Sequence, residues 1–574
     1  MNRQFQSARA GRARLRIGVV VEAMEIPRFA RQVLADIAGS RFAEVVGVIV
    51  CPSSGYLDAS EAASAIPQLK FGRDQPGLVY QLYLVTLDRR RRATDPVERV
   101  GFDDLVSGAQ RLDIGHAAVG VDTETAQRLR ALAFDVLIRF GVGGSVADLS
   151  QYARHGLWAY AYGSDPATAD LPLMLREVME RRPTSRVCLQ ATQADGAVLD
   201  LCEARFSTSP TLSVSANRYA PLWGSTHFVI QQLNALYETG VLGHGSGYGT
   251  GNGSAAPARA APGPPGNREM LGLIARRIGG MLKRSLGRLP EWARRGPVSL
   301  QWRIALRRAA APMPGSPAQT DLDRFQWLDS PQGHFWADPF LFAHAGETWL
   351  FFEDYDYALD RALIGCGRLD AAGVLREVRP VLERPYHVSY PQVFEHDGEI
   401  YMVPETAQAG GVDLYRARRF PGDWVLVRRL LDVRVVDATL VHHAGRWLMF
   451  ASPMAVTGHA PLTYLWSAEN LLGEWRLHSS TPVCDDATRA RGAGAILQQN
   501  GRLYRPSQDC ASGYGRALWF NEIRRWDGET YVEHPVARVE GGAVPDLVGV
   551  HTYNRCGEWE AIDGQFRWPR RRFR

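Results

Sequence analysis

At 574 residues the chain is long enough to bury more than one hydrophobic core, and length alone suggests about three or four domain-sized units. Lysine and arginine number 66 against 61 acidic residues; a formal +5 is small for this size, and no nucleic-acid partner is expected from it. All but Lys70 and Lys283 of the basic residues are arginine, a bias that GC-rich coding explains more simply than phosphate recognition. The 56 glycines, 33 prolines and 15 tryptophans point instead to turn-rich, aromatic β architecture. Seven scattered cysteines with no C-x-x-C pair argue against structural zinc and fit a reducing compartment.

In chain order, five arginines fall within the first sixteen residues, but the apolar run Ile17 to Val21 is too short for a signal-peptide core or a membrane span. A cytoplasmic location is therefore expected, peripheral to a membrane if the basic segment described below reaches one. Residues 15 to 50 read as strand, helix and strand, with Pro27 suited to a first helical turn. Phe134 to Phe140 reads as a further buried strand after the helical pattern Thr123 to Leu132, so the N-terminal half is expected to be an α/β parallel-sheet domain of Rossmann type over residues 15–240. No G-x-G-x-x-G follows its first strand. A dinucleotide is not expected, and the cofactor is left unnamed.

Residues 241–267, rich in Gly, Ser, Ala and Pro, read as a flexible linker. The stretch 268–322 that follows reads as a basic, amphipathic helical connector. Between Arg268 and Arg308 stand eleven basic residues against Glu269 and Glu291, interleaved with Met270, Leu271, Leu273, Ile274, Ile278, Met281, Leu282, Leu286 and Leu289. Such a helix can lie on an anionic membrane surface or dock on its own domain, and Gly279-Gly280 weakens it as one continuous helix.

After Phe325 the sequence repeats. Five segments share a strand, a tight turn ending in glycine and a second aromatic-rich strand: DPFLFAHAGETWLFFE, YPQVFEHDGEIYMVPE, DATLVHHAGRWLMFAS, AGAILQQNGRLYRPSQ and VGVHTYNRCGEWEAIDG. Gly346, Gly398, Gly445, Gly501 and Gly557 recur at the spacing of four-stranded blades, which predicts a five-bladed β-propeller over 323–567. Eight residues before these glycines stand Asp338, Tyr390, Asp437, Ala493 and Gly549; seven after them stand Glu353, Glu405, Ser452, Gln508 and Gly564. If the hairpins are the inner strands of their blades, Asp338, Glu353, Glu405 and Asp437 converge on one face. Clustered carboxylates raise one another's pKa, which suits acid and base work on sugars, although such groups can also serve as structural closure with Arg491 and Arg505. His334, Trp336, His387, Tyr390, Arg491, Arg505, Gln508, Asp509, Tyr514 and His551 lie nearby in the repeat and offer the aromatic faces and planar donors that a pyranose ring requires. No metal is expected, since no loop shows calcium-ligand spacing.

Two resemblances add to this. FDVLIRFGVGGSVADLSQYARHGLWAYAYGSD, Phe134 to Asp165, is similar to the formyltransferase-type domain, in which an Asn and a His meet the folate formyl group. Anchoring on Gly156 puts Ala159 and Ala161 at those two positions, and Ala194-Asp195-Gly196 beside the later acidic motif. The resemblance therefore implies a domain that keeps the fold without its acid and base; folate is not expected, and a sugar N-formyltransferase is the weakest of the functional readings. In the C-terminal half, WADPFLF at Trp336, PYHVSYPQVFEHDGEIYMVPET at Pro385, DATLVHHAGRWLMFAS at Asp437, ARGAG at Ala490, GRLYRPSQDC at Gly501 and YGRAL at Tyr514 resemble the N-terminal propeller domain of the glucosamine inositolphosphorylceramide transferase family, departing from it at Gly492, where proline is usual. That resemblance implies a sugar or glycolipid substrate. The propeller is also similar to the five-bladed glycoside hydrolase clan, in which a first-blade Asp is base or nucleophile. Asp338 matches it, with Glu405 as the acid and Asp437 to orient or tune. The leading expectation is a carbohydrate-active protein of glycolipid or surface-polysaccharide assembly, transferase-like rather than hydrolytic; the alternative is a non-catalytic module that binds glycan or lipid-linked sugar.

Overall fold

The alternation of apolar runs and helical patterns at the N-terminus folds, in the computed structural model, into a seven-stranded mixed sheet flanked by helices. The structure describes residues 12–51, 78–86, 95–114, 121–140, 149–163, 174–208, 213–242, 266–295, 298–309, 322–455, 458–459, 462–478, 481–526 and 530–569. Almost all of the expected linker, and 141–148 and 164–165 of the formyltransferase-like motif, lie outside them. The chain divides into two compact units, Met1–Leu282 and Lys283–Arg574.

In the first unit, Leu15–Val21, Ala43–Val50, Gln110–Asp113, Val136–Arg139 and Leu157–Tyr162 are parallel, and the hairpin Thr184–Thr192 with Val198–Ser207 extends the sheet antiparallel. The strand order runs outward in both directions from the neighbours Leu15–Val21 and Val136–Arg139, the reversal typical of Rossmann-like sheets. Ile17, Val19, Val136 and Ile138 bury one continuous face against Phe29, Val33 and Leu34 of the helix Arg28–Ala38. Ala159 and Ala161 sit within the fifth parallel strand, opposite Gln190 and Cys188. Asp195 is a turn residue: its carboxylate accepts from the Ala197 N–H at 2.9 Å, and Gly196 follows at φ +83°.

The second unit is the five-bladed propeller. Four consecutive sheets run from His334 to Leu382, Ser389 to Leu431, Val435 to Leu477 and Arg491 to Glu540, each with its first strand innermost. In the first four blades the predicted glycine and its predecessor form a two-residue turn with both residues at positive φ, such as Asp397 (+51°) and Gly398 (+76°); this mirror-image turn matches the twist of the strands it joins.

The fifth blade is built from both ends of the unit. Its order is Leu547–Cys556, Trp559–Pro569, Val298–Arg308 and Gln326–Trp327. Val298–Arg308 pairs along its whole length with Trp559–Pro569, from Val298 opposite Pro569 to Arg308 opposite Trp559. The stretch 268–322, expected as a helical connector, thus contains a strand of the propeller. Its arginines read as part of a basic helix in sequence, whereas in the sheet Arg303, Arg307 and Arg308 pair with Asp329, Glu560 and Glu558 and lie over aromatic rings. The helix itself spans Asn267–Arg295 and stops before the strand. Closing a ring with a strand from the opposite chain end removes an open sheet edge and buries Trp302, Ile304 and Leu306, each worth about 2 kcal/mol. A fragment beginning at residue 323 should therefore aggregate or melt without a cooperative transition, while one beginning at 296 should melt cooperatively by circular dichroism.

Candidate active site

The inner strands carry the site because their backbones are interrupted there. Strand pairing skips at Ala337/Phe340, Ser389/Gln392 and Val436/Thr439. Asp338, Tyr390 and Asp437 occupy these bulges at φ +49°, +49° and +54°, a left-handed conformation that costs non-glycine residues on the order of 1 kcal/mol or more. In the fourth blade the inner strand is split into Arg491–Gly492 and Leu497–Gln499, and the left-handed residue is Gly494, where a Cβ would lie 2.0 Å from the Tyr553 carbonyl. In the fifth blade the skip falls between Val550 and Tyr553. His551 and Thr552 thus take the place that regular spacing assigned to Gly549, because the bulge there lies one residue nearer its turn and Gly557 is the first rather than the second residue of that turn.

This slip assembles a chain of buried groups across the closure of the ring. Asp563 is fully buried and accepts four hydrogen bonds: from the backbone N–H of Asp338 (2.9 Å), His551 (3.2 Å) and Thr552 (2.8 Å), and from His551 Nδ1 (2.6 Å). Nδ1 therefore carries its proton toward Asp563. The other ring nitrogen, Nε2, lies 3.4 Å from Asp338 Oδ1, which also accepts from the Thr552 hydroxyl at 2.8 Å. Burial alone would lower the His551 pKa, but Asp563 and then Asp338 outweigh it and raise it. Trp302, from the closing strand, stacks on the imidazole at 3.9 Å between ring centres.

Across the channel Asp437 is held by Arg491, Nε to Oδ2 at 2.5 Å and Nη2 to Oδ1 at 3.4 Å. The Asp437 N–H donates to Glu405 Oε2 at 3.3 Å. Gly492 lies against this aspartate, where a Cβ would stand 3.1 Å from the Asp437 carbonyl oxygen and 3.3 Å from the Tyr390 hydroxyl. The Arg491 guanidinium lies under the Tyr514 ring at 4.7 Å, and Tyr514, 44% exposed, also meets His551 edge-on at 5.3 Å. Tyr514 is thus the exposed member of an otherwise buried cluster.

Electrostatics separate the carboxyl groups. Burial, with Asp437 and Asp338 adding to it against the pull of Arg491, pushes Glu405 up to about 8. Burial raises Asp338 to about 6, moderated by His551. Glu353 is driven well above the usual carboxyl range by burial and by Asp338 and Glu405. His387 accepts from the Ala362 N–H through Nδ1 at 3.2 Å and, its pKa lowered by burial, stays neutral with Nε2 3.5 Å from Glu353. Near neutral pH the site therefore holds a largely protonated Glu405 beside a largely ionised Asp338.

The four predicted carboxylates do share one environment, together with His387, Tyr390, Arg491, Tyr514 and His551. Within it Tyr390 is structural as well, its hydroxyl accepting from the Gly494 N–H at 2.6 Å and lying 2.9 Å from the Thr439 hydroxyl. Gln508 ties strands together through the Gly492 carbonyl at 2.7 Å. Other predicted residues lie elsewhere. Trp336 turns into the core against Phe352, His334 pairs with Asp354 at 2.9 Å, and Asp509 caps the Ala511 N–H and pairs with Arg538. Arg505 spends its guanidinium on Glu533 (2.6 and 2.8 Å) and the carbonyls of Arg489 and Ala490. Replacing Arg505 by methionine strands a buried carboxylate and should cost about 3–5 kcal/mol in chemical denaturation.

Asp563, Glu533 and Trp302 were missed. Asp563 lies six residues past its turn glycine, where the other blades carry Phe352, Pro404, Ala451 and Ser507, so the repeat gave no hint of an acid. Among the described residues, Asp338, His551 and Asp563 also form a group whose ligand atoms lie within 4.8 Å of one another and could hold a cation. The four donors on Asp563 make it a hydrogen-bonded relay first.

Fold and site together define a five-bladed propeller with a buried acid and base cluster at the inner strands. Residues 327–541 match the family model of the N-terminal region of glucosamine inositolphosphorylceramide transferase 1. The protein of that name from Oryza sativa subsp. japonica is 36% identical over 209 residues, 35% of this chain and 28% of its own length; that from Arabidopsis thaliana is 33% identical over 205 residues, 35% and 27%. The chain thus spans little more than a quarter of the curated relatives it matches, and its C-terminal half resembles their N-terminal region. Among solved structures, the GH43_1 enzyme from Xanthomonas citri complexed with xylotriose is similar at 12% identity and TM-score 0.32, covering 41% of this chain and 88% of that one. The α-L-arabinofuranosidase from Lactobacillus brevis is similar at 14% and 0.30, covering 38% and 79%. Likeness at that level says nothing about substrate.

Proposed function

We propose that the propeller binds a sugar carried on, or destined for, a lipid or surface polysaccharide, and transfers or modifies it with Asp338 as base and Glu405 as acid. Asp437, clamped by Arg491, orients the pair. The observation that carries this reading is the separation of two neighbouring carboxyls, Asp338 near 6 and Glu405 near 8, which leaves one ionised and one protonated at neutral pH. The relatives' printed name supports the substrate class, joining a glucosamine to an inositolphosphorylceramide.

A second reading, a non-catalytic propeller whose acids brace the ring, is favoured by the burial of Asp338, Glu353 and Asp437. Separating binding from turnover decides between them. An Asp338→Asn variant should still bind the sugar by calorimetry and lose the reaction; unchanged glycolipid formation in cells carrying it would remove the catalytic reading.

A further inference from the structure

Over residues 267–282, the part of the helix Asn267–Arg295 that belongs to the first unit, the helix carries two apolar faces, and among the described residues only one of them has a partner there. Met270 and Leu273 are buried with Tyr80, Tyr83, Leu175, Val178 and Met179, and Arg277 on the same side donates to the Val178 carbonyl at 2.9 Å. That face docks the helix on the α/β unit. The other face presents Leu271, Ile278 and Leu282 at 54%, 50% and 57% exposure, with Ala275 between them and Met281 (48%) at the border. Steps of four, three and four residues put Leu271, Ala275, Ile278 and Leu282 in one line along the helix. On the adjoining helix Leu78–Thr86, tied to this one by the Val79 N–H to Asn267 side-chain bond (2.9 Å), Leu78 and Leu82 are exposed one turn apart.

Exposed leucines on a helix that is already docked are costly in water. The charge around them identifies what covers them. The 29 residues of the helix hold eight arginines and lysines against Glu269 and Glu291, and Glu269 already lies 3.8 Å from Arg176. The three remaining arginines of the basic stretch are consumed by pairs in the fifth blade, so the excess belongs to the helix alone. A protein partner could match either feature, but an apolar line within a cationic surround is complementary to an anionic lipid surface, where acyl chains receive the leucines and headgroups the arginines. Among the described residues no helix is long and apolar enough to cross a membrane, which leaves the interfacial mode for this one.

We propose that the Leu271–Ile278–Leu282 face of this helix binds the interface of an anionic membrane and holds the protein at the lipid surface. The assignment rests on the helix and is independent of the propeller's chemistry. It tests on the full chain with sedimenting vesicles of phosphatidylcholine, with and without phosphatidylglycerol. The full chain should partition at least about tenfold better onto the anionic vesicles, and less so as salt is raised. Leu271→Asp with Ile278→Asp should lower that partitioning about tenfold with an unchanged melting temperature, because both side chains are half exposed. Arg268→Gln with Arg276→Gln, which leaves the leucines in place, should abolish the preference for anionic lipid. Equal binding to neutral vesicles, or indifference to both pairs of substitutions, would overturn the proposal. So would a lowered melting temperature in the aspartate variant, which would show the face covered by the chain itself. A dimer by light scattering that the aspartates dissociate would overturn it too, assigning the face to a second copy.

Discussion

Replacing Asp338 by asparagine should leave the propeller folded and able to bind the proposed sugar while lowering turnover about a thousandfold, the usual scale for losing one general base. The fold should survive because asparagine is among the few residues that tolerate the left-handed backbone at this bulge, and its side-chain oxygen can still accept from Thr552. What it cannot do is take up a proton. Asp563→Asn sharpens the test. That carboxylate fixes the His551 proton on Nδ1 without facing the channel, so its loss should move the acid limb of the pH profile as well as lowering turnover. A merely bracing role would change stability and leave the profile where it was. Turnover within a factor of two of the unsubstituted protein in Asp338→Asn would end the assignment of the base.

Glu405→Gln should produce the second large effect, in both rate and stability. With Asp338 ionising near 6 and Glu405 losing its proton near 8, activity should follow a bell between those values, and glutamine at 405 should remove the alkaline limb along with most of the rate. Stability moves in step. A carboxyl whose pKa is raised on folding, from 4.5 to about 8 here, binds its proton more tightly in the folded chain. Its contribution is therefore full below pH 4.5 and lost as pH rises through 8; Asp338 adds the same sign between 3.8 and about 6. The melting temperature of the propeller should fall between pH 5 and pH 8.5, and Glu405→Gln should flatten the fall and gain about 2–4 kcal/mol at the alkaline end. A melting temperature that rises with pH over this window would contradict the site as described.

Much of the propeller was legible in the repeat. Glycine at a two-residue turn, flanked by strands of alternating burial, is a local requirement, and local requirements are written into neighbouring residues. The same regularity put Asp338, Glu353, Glu405 and Asp437 on one inner surface, and all four stand in one electrostatic environment. It misled where symmetry breaks. The period marks Gly549 and reaches His551 only as a near neighbour, because the bulge is displaced by two residues relative to its turn glycine; Asp563 has no acidic counterpart in the other blades. Arg505 looked like a ligand-binding cation until its partner Glu533, 28 residues away on the outermost strand of the same blade, accounted for its charge.

The sequence alone thus determined the number of blades, their turns and the carboxylates that line them, since each depends on contacts within a few dozen residues. Only the tertiary structure could decide how the ring closes. Val298–Arg308 reads as part of a basic helical stretch until Trp559–Pro569, more than 250 residues further on, supplies its hydrogen bonds. That pairing brings Trp302 against His551 and sets the closing strand beside the relay from Asp563 to Asp338. Contacts made at such separation leave no periodic trace, because their register is set by closure of the ring and not by any residue near them in the chain.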